Sequence, residues 1–91
     1  MINDIDHEIL SITQEECAEV IQAISKIFRF GFDSRHPDKG YDNREHLEEE
    51  LGDLQCMINL MIEHGIVRGD KLDEAEFKKY EKLKVWSNIF K

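Results

Sequence analysis

Apolar residues recur every three or four positions along most of the chain, which is the spacing of one face of an α-helix. A first predicted helix runs from about Asp4 to Phe30, and Gly31 ends it. Six residues form its apolar face: Ile5, Ile9, Ile12, Val20, Ala23 and Ile27. No segment has a convincing strand pattern, so the sequence predicts an all-α fold.

Two further helices follow the first. The second begins after Asp42, which can cap it because Glu45 lies three residues on and completes a capping box. It extends to about His64, and its apolar face consists of Leu47, Leu51, Leu54, Ile58, Met61 and Ile62. The third spans about 71–85, with apolar positions at Leu72, Ala75, Leu83 and Trp86.

The segment from Gly31 to Asn43 is predicted to be a loop, because it holds the only proline and two of the five glycines. Loops of this length in compact domains are often functional. The flanking helices then form an antiparallel hairpin, to which the third helix is added. The 91 residues form one domain, 1–91, whose small size makes an oligomer plausible.

Charge is distributed unevenly: the net charge is −8, made up of −10 in residues 1–70 and +2 in the C-terminal helix and tail, 71–91. This acidity argues against binding to a nucleic-acid polymer or an anionic membrane. No apolar run is long enough to span a membrane, and the acidic N-terminus is unlike a signal peptide. With Cys17 and Cys56 interpreted as reduced core thiols, we expect an intracellular, cytoplasmic protein.

Four carboxylates occupy positions where the two hairpin helices should pack together. On a helical wheel, Glu16 and Glu19 fall within or beside the apolar face of the first helix. Glu50 falls within that of the second helix, and Asp53 borders it. Buried unpaired carboxylates are very costly, so a hard divalent cation, Mg²⁺ or Mn²⁺ in its place, is the expected partner. Either pair of carboxylates alone would more simply be a solvated helix face.

These residues carry a family resemblance. Glu15-Glu16-Cys17-Ala18-Glu19 followed by Glu50-Leu51-Gly52-Asp53 resembles the EExxE…ExxD signature of the MazG-like, all-α nucleoside triphosphate pyrophosphohydrolases. The similarity extends over residues 15–31 and 47–63, and the segment 82–87 is similar to the tails of short, single-domain phage or bacterial members. About half of the chain is covered.

The resemblance implies Mg²⁺-dependent hydrolysis of a nucleoside triphosphate to the monophosphate and pyrophosphate. It also implies that Glu16, Glu19, Glu50 and Asp53 bind the metal. Family members form dimers or tetramers in which helices from two chains complete each site. We therefore expect a homo-oligomer with a four-helix-bundle core.

Other residues are candidates for supporting roles. Glu15, or a free oxygen of a metal ligand, is a candidate acceptor for the proton of the attacking water. The candidate substrate contacts are Lys78, Lys79, Lys82, Arg35, Lys39, Asn59 and Trp86. Each of the cationic residues, taken alone, is also explained as an ordinary solvated side chain.

Two other functions are compatible with the same sequence. One is a non-catalytic helical module that binds nucleotides or a partner protein and keeps the acidic site as a relic. The other is a purely structural helical oligomer, in which divalent metal would have no effect on stability.

Overall fold

The computed structural model describes residues 1–35, 37–38 and 40–91 of the chain. Three helices follow one another: α1 (Asp4–Phe30), α2 (Asn43–Glu63) and α3 (Gly69–Trp86). The described residues include no strand, only an isolated bridge between Arg35 and Asp42. The predicted all-α fold is confirmed, and only α3 differs noticeably in extent, since it begins two residues earlier than expected.

Local interactions fix both ends of α1. The side chain of Asn3 caps its N-terminus by accepting a hydrogen bond of 2.8 Å from the backbone N–H of Asp6. At the other end Gly31 has φ of +87°, a conformation that glycine adopts without steric cost. Its N–H donates to the carbonyl of Ile27 at 2.8 Å, and the chain then leaves the helix.

The loop after α1 is closed against the start of α2. Asp42 and Glu45 form the predicted capping box, with the backbone N–H of Glu45 donating to Asp42 Oδ1 at 2.8 Å. The buried side chain of Asn43 donates to the carbonyl of Gly31 at 2.9 Å. This bond joins the first residue of α2 to Gly31, the C-cap residue of α1, and so holds the two ends of the loop together.

Helices α1 and α2 pack as an antiparallel hairpin. A cavity lined by Ile5, Ile9 and Ile12 of α1 and by Met57, Leu60 and His64 of α2 lies where the start of α1 meets the end of α2. Ile9 and Ala23 are buried as predicted, and Ala23 is 0% exposed. Ile12, Val20 and Ile27 are half-buried, whereas Ile5, in the first turn of α1, is mostly exposed.

The face of α2 that turns inward differs from the predicted face. Its buried residues are Asn43, His46 and Met57, while Leu47, Leu54, Ile58 and Met61 are half-buried and Leu51 and Ile62 are exposed. The buried residues are centred about 80° around the helix from the leucine stripe. The hairpin therefore buries a mixed polar and apolar face of α2 and leaves much of the apolar stripe uncovered.

Helix α3 has no buried residue. Its first residue, Gly69, lies against the side chain of Ile62, and Leu72 and Leu83 are half-buried. Trp86, at the end of the predicted apolar face, is 84% exposed. The described part of the chain contains no helix long and apolar enough to cross a membrane.

Both cysteines are free, but the prediction that they are core thiols is wrong for the single chain. Cys17 and Cys56 are exposed. On an ideal helix Cys17 lies about 100° away from the centre of the buried face of α1, which explains its exposure.

The chain forms an open, flat layer with dimensions of 44 × 38 × 16 Å. Its radius of gyration is 16.2 Å, whereas a compact domain of this length has a radius of gyration of about 12 Å. Only Ile9, Ala23 and Met57 are buried apolar residues in the part of the chain that the structure describes. The hairpin is thus the only packed unit seen in that part.

We expect Ala23→Leu to destabilise the fold by about 1–3 kcal/mol, because the larger side chain has no room between the two helices. Ala18→Leu is the matched control, since Ala18 lies on the same helix but is exposed. Chemical denaturation monitored by circular dichroism measures both variants. Equal stability of the two variants would contradict the packing of Ala23 against α2.

Candidate metal centre

Glu16 is a charged residue on the inner face of α1. It lies at the middle of the stripe that contains Ile9 and Ala23, and it is half-buried. Because the helical period returns to the same face at residues 9, 16 and 23, a glutamate at position 16 must point towards α2. The prediction that this carboxylate intrudes on the packed face of α1 is confirmed.

Glu50 and Asp53 approach Glu16 from the opposite helix. They lie three residues apart on α2. Glu50 lies on the buried face and is half-buried, whereas Asp53 lies at the polar edge of that face and is exposed. One carboxylate oxygen from each of Glu16, Glu50 and Asp53 lies within 4.8 Å of the other two. Two helices distant in sequence thus bring three of the four predicted metal ligands together.

The cluster is electrostatically unfavourable without a cation. Partial burial raises the pKa of Glu16, and the nearby charges of Asp53, Glu50, Glu19 and Glu15 raise it further. Every one of these charges is negative. Within the described residues, no lysine or arginine forms an ion pair with Glu16, Glu50 or Asp53.

One basic side chain does reach the cluster. The Nε2 atom of His46 lies 3.2 Å from Glu50 Oε1, and both side chains are largely shielded from solvent. The ring of Tyr41 packs beside the imidazole, with 5.3 Å between the ring centroids. The sequence reasoning did not select His46, although its position four residues before Glu50 is the spacing at which side chains on one helix meet.

Glu15 and Glu19 stay outside the group of three. Both are exposed on α1, Glu15 next to Glu16 in sequence and Glu19 nearly one turn further along the helix. Their charges nevertheless contribute to the raised pKa of Glu16, so both lie within electrostatic range of it. They form an acidic margin on the solvent side of the cluster.

The candidate cations on α3, Lys78, Lys79 and Lys82, are exposed. Several ion pairs join residues within this helix. Lys78 Nζ lies 3.3 Å from Glu74 Oε1. Lys79 and Lys82 form no ion pair with any residue that the structure describes. The structure does not bring any of these three lysines into ion-pair distance of the described carboxylates outside α3.

The remaining candidates are dispersed. Arg35 donates to the carbonyl of Gly40 at 3.1 Å and lies 3.7 Å from Glu45. Asn59 is exposed and accepts a hydrogen bond of 3.2 Å from Gln55, and the ring of Trp86 is exposed at the end of α3. Lys39 lies outside the described residues.

The donor set fits a hard divalent cation. An octahedral ion with metal–oxygen distances of about 2.1 Å holds its ligand oxygens about 3.0–4.2 Å apart. The three oxygens of the cluster lie within 4.8 Å of one another, so small side-chain rotations suffice to close around such an ion. Three carboxylates without sulfur or ligating imidazole are the ligands of Mg²⁺ or Mn²⁺ rather than of zinc.

Comparison with known proteins agrees with this geometry. A family model described as the MazG nucleotide pyrophosphohydrolase domain matches residues 6–83, a range that includes the hairpin and the three clustered carboxylates. The chain has no significant match among curated proteins or among solved structures. Because the family model covers most of its length, the chain belongs to the MazG nucleotide pyrophosphohydrolase family.

Proposed function

We propose that the protein is a Mg²⁺-dependent pyrophosphohydrolase that cleaves a nucleoside triphosphate, ribo or deoxyribo, into the monophosphate and pyrophosphate. The observation that carries the proposal is the meeting of Glu16, Glu50 and Asp53 between two packed helices, in a chain of this family. Three carboxylates at this separation repel one another, so the arrangement is favourable only when a cation offsets their charge.

Glu16, Glu50 and Asp53 hold the ion in this proposal, and Glu19 is the fourth ligand. The exposed position of Glu19 nearly one turn from Glu16 allows its side chain to rotate towards the cluster. Mg²⁺ keeps several of its waters and binds substrate phosphates, and when bound it polarises a phosphate and lowers the pKa of a water. Mn²⁺ has the same ligand preferences and is the expected substitute.

Hydrolysis requires that a water oxygen form a bond to a phosphorus of the α–β anhydride. The bond from that phosphorus to the bridging oxygen breaks, and the monophosphate and pyrophosphate separate. The water loses its proton to a base, and Glu15 is our candidate, with a free oxygen of a metal ligand as the other. Glu15 suits this role because it is exposed at the margin of the cluster and next to Glu16.

The triphosphate also needs cationic partners. Lys79 and Lys82 are the stronger candidates on α3, because the Lys78 ammonium already lies beside Glu74. Arg35 and Lys39 are candidates from the loop, and Asn59 and Trp86 are candidate contacts to the nucleoside. The lysines of α3 form no ion pair with the described carboxylates of α1 and α2, so we propose that they serve the site of a second copy.

We further propose a homo-oligomer, because the single chain exposes more surface than a compact monomer of its size. The chain exposes 7246 Å², whereas a compact monomer of 10.8 kDa exposes about 5,500 Å². The excess of roughly 1,700 Å² per chain is in the range that a permanent subunit interface covers. This size of excess favours assembly with copies of the same chain.

Helix α1 carries a second apolar stripe that suits such an assembly. Its members are Leu10, Cys17, Ile21, Ile24 and Phe28. The stripe is centred about 110° from the face that packs on α2, and Phe28 is 85% exposed. Together with the uncovered leucine stripe of α2, it provides two apolar faces on one hairpin. Two hairpins joined through these faces make the four-helix bundle that we propose.

Glu16→Gln, Glu50→Gln and Asp53→Asn should each remove most pyrophosphate release while leaving the helical circular dichroism unchanged, because each removes one charged ligand. Glu48→Gln and Glu49→Gln are the matched controls: both residues are exposed on α2 and lie outside the cluster. A panel of nucleoside and deoxynucleoside triphosphates with Mg²⁺, assayed for pyrophosphate, makes the measurement.

The same panel separates the proposal from its alternatives. Full activity in Glu16→Gln and Asp53→Asn would overturn the metal assignment. Mg²⁺-dependent thermal stabilisation without hydrolysis of any nucleotide would favour a binding module, and no stabilisation by Mg²⁺ would favour a purely structural oligomer.

Phe28→Asp should dissociate the assembly, because a charge would enter an apolar subunit interface. Gln22→Asp introduces the same side chain about 120° away on the exposed surface of α1 and should leave the assembly intact. Sedimentation velocity of the three proteins measures the result. A wild-type chain that sediments as a monomer at micromolar concentration would contradict the homo-oligomer.

Stability without metal should depend on the ionisation of Glu16. The pKa of Glu16 in the folded chain is raised above its ordinary value of 4.5. The contribution of the protonated side chain to folding stability is therefore fully present below pH 4.5 and is lost as the pH rises through the folded-state pKa. Glu16→Gln should therefore gain stability relative to the wild type as the pH rises, when both are unfolded in EDTA at one protein concentration. At neutral pH, saturating Mg²⁺ should make the wild type more stable than Glu16→Gln. A stability difference that does not vary with pH would contradict the raised pKa.

A further inference from the structure

His46 is a buried polar residue close to the carboxylate cluster. Only Asn43 and His46 are buried polar residues within the part of the chain that the structure describes, and Asn43 is accounted for by its bond to Gly31. His46 is 7% exposed and lies on the inner face of α2, one turn before Glu50. A polar side chain in such a position requires a partner.

That partner is a proposed metal ligand. The Nε2 atom of His46 lies 3.2 Å from Glu50 Oε1, and the Glu50 side chain is 13% exposed. A carboxylate oxygen is an acceptor and an imidazole nitrogen can carry a proton, so the two groups attract one another at this distance. The two oxygens of a carboxylate offer about four acceptor sites, which leaves Glu50 able to bind a cation at the same time.

The imidazole is itself held in place. The half-buried ring of Tyr41 packs against it at 5.3 Å, with an angle of 33° between the ring planes. The backbone N–H of His46 donates to the carbonyl of Asp42 at 3.0 Å, at the capped start of α2. The position of His46 is therefore set by contacts with Tyr41 and Asp42, which lie outside the carboxylate cluster.

We propose that His46 is a positioning residue for the metal centre: its imidazole, with Nε2 at 3.2 Å from Glu50 Oε1, holds that carboxylate towards Glu16 and Asp53 before the ion arrives. This inference rests on the proposed function, since it assigns a role at the same site. Ordering a glutamate side chain costs free energy on binding, and a contact already present in the metal-free protein removes part of that cost. Hydrogen-bond partners of metal ligands typically change metal affinity by about 10–100-fold.

A simpler explanation is that the pair only stabilises α2, as side chains four residues apart on a helix often do. The two explanations differ in what they predict for the metal. A stabilising pair changes the free energy of unfolding and leaves the affinity of the folded protein for metal unchanged. A positioning residue changes the affinity of a protein that is still folded, and a substitute that keeps the donor restores it.

The test is the dissociation constant of Mn²⁺ without nucleotide, measured on the assembled protein by the electron paramagnetic resonance of free Mn²⁺. We expect His46→Phe to weaken binding by about 10–100-fold, because it fills the volume without a donor. His46→Gln, whose amide nitrogen can reach the position of Nε2, should stay within a few-fold of the wild type. His64→Phe, the same change at an exposed position after α2, is the control and should bind normally.

The outcomes distinguish this inference from the proposed function. Equal Mn²⁺ affinity in wild type and folded His46→Phe would overturn the role of His46 and leave the metal site standing. A wild type that binds no Mn²⁺ would overturn the site, and the role of His46 with it. If His46→Phe does not fold, His46→Asn replaces it, because its shorter amide cannot reach Glu50 as glutamine does; equal affinity in His46→Asn and His46→Gln would likewise overturn the proposal.

Discussion

Mutual repulsion among carboxylates at the contact between α1 and α2 is the constraint on which the rest of this structure depends. Glu16 comes from the centre of a packed helical face and is half-buried, so its carboxylate is only partly hydrated. Glu50 and Asp53 bring two more negative charges to within 4.8 Å, and the pKa of Glu16 rises in response. In the function that we propose, this arrangement gives up stability in the metal-free state for affinity towards a cation, a trade that is typical of active sites.

The same constraint explains why the hairpin has so little core of its own. The inner face of α2 carries Asn43, His46 and Glu50 where leucines would otherwise pack, and the leucine stripe is turned about 80° aside. Helix α1 also has apolar residues on two sides. Each helix supports the acidic centre on one face and offers an apolar surface on another, and we propose that further copies of the chain cover that second surface.

Local features of the fold were predictable from the sequence, whereas the packing faces were only partly so. Gly31, Asp42 and Glu45 determine helix ends through their own backbone and side-chain bonds, so the bounds of α1 and α2 follow from a few neighbouring residues. Glu16 was identified because its stripe is the buried one. The face of α2 depends on what α1 presents to it, and the contact of His46 with Glu50 depends on side-chain rotamers; helical spacing alone determines neither. The exposure of Trp86 and Cys17 similarly depends on which surfaces a single chain leaves uncovered.

The 16 Å thickness of the chain has a consequence for how the protein responds to its own abundance. A layer two helices wide has almost no interior, so in the homo-oligomer that we propose the free energy that favours the folded form comes largely from association with other copies. Folding and assembly are then one equilibrium, and its position depends on the total amount of chain present. Under this coupling, the hydrolysis that we propose rises more steeply than in proportion to synthesis at low expression and becomes proportional once assembly is complete. If the proposed assembly and activity hold, the shape of one chain sets an expression level below which each chain contributes little hydrolysis.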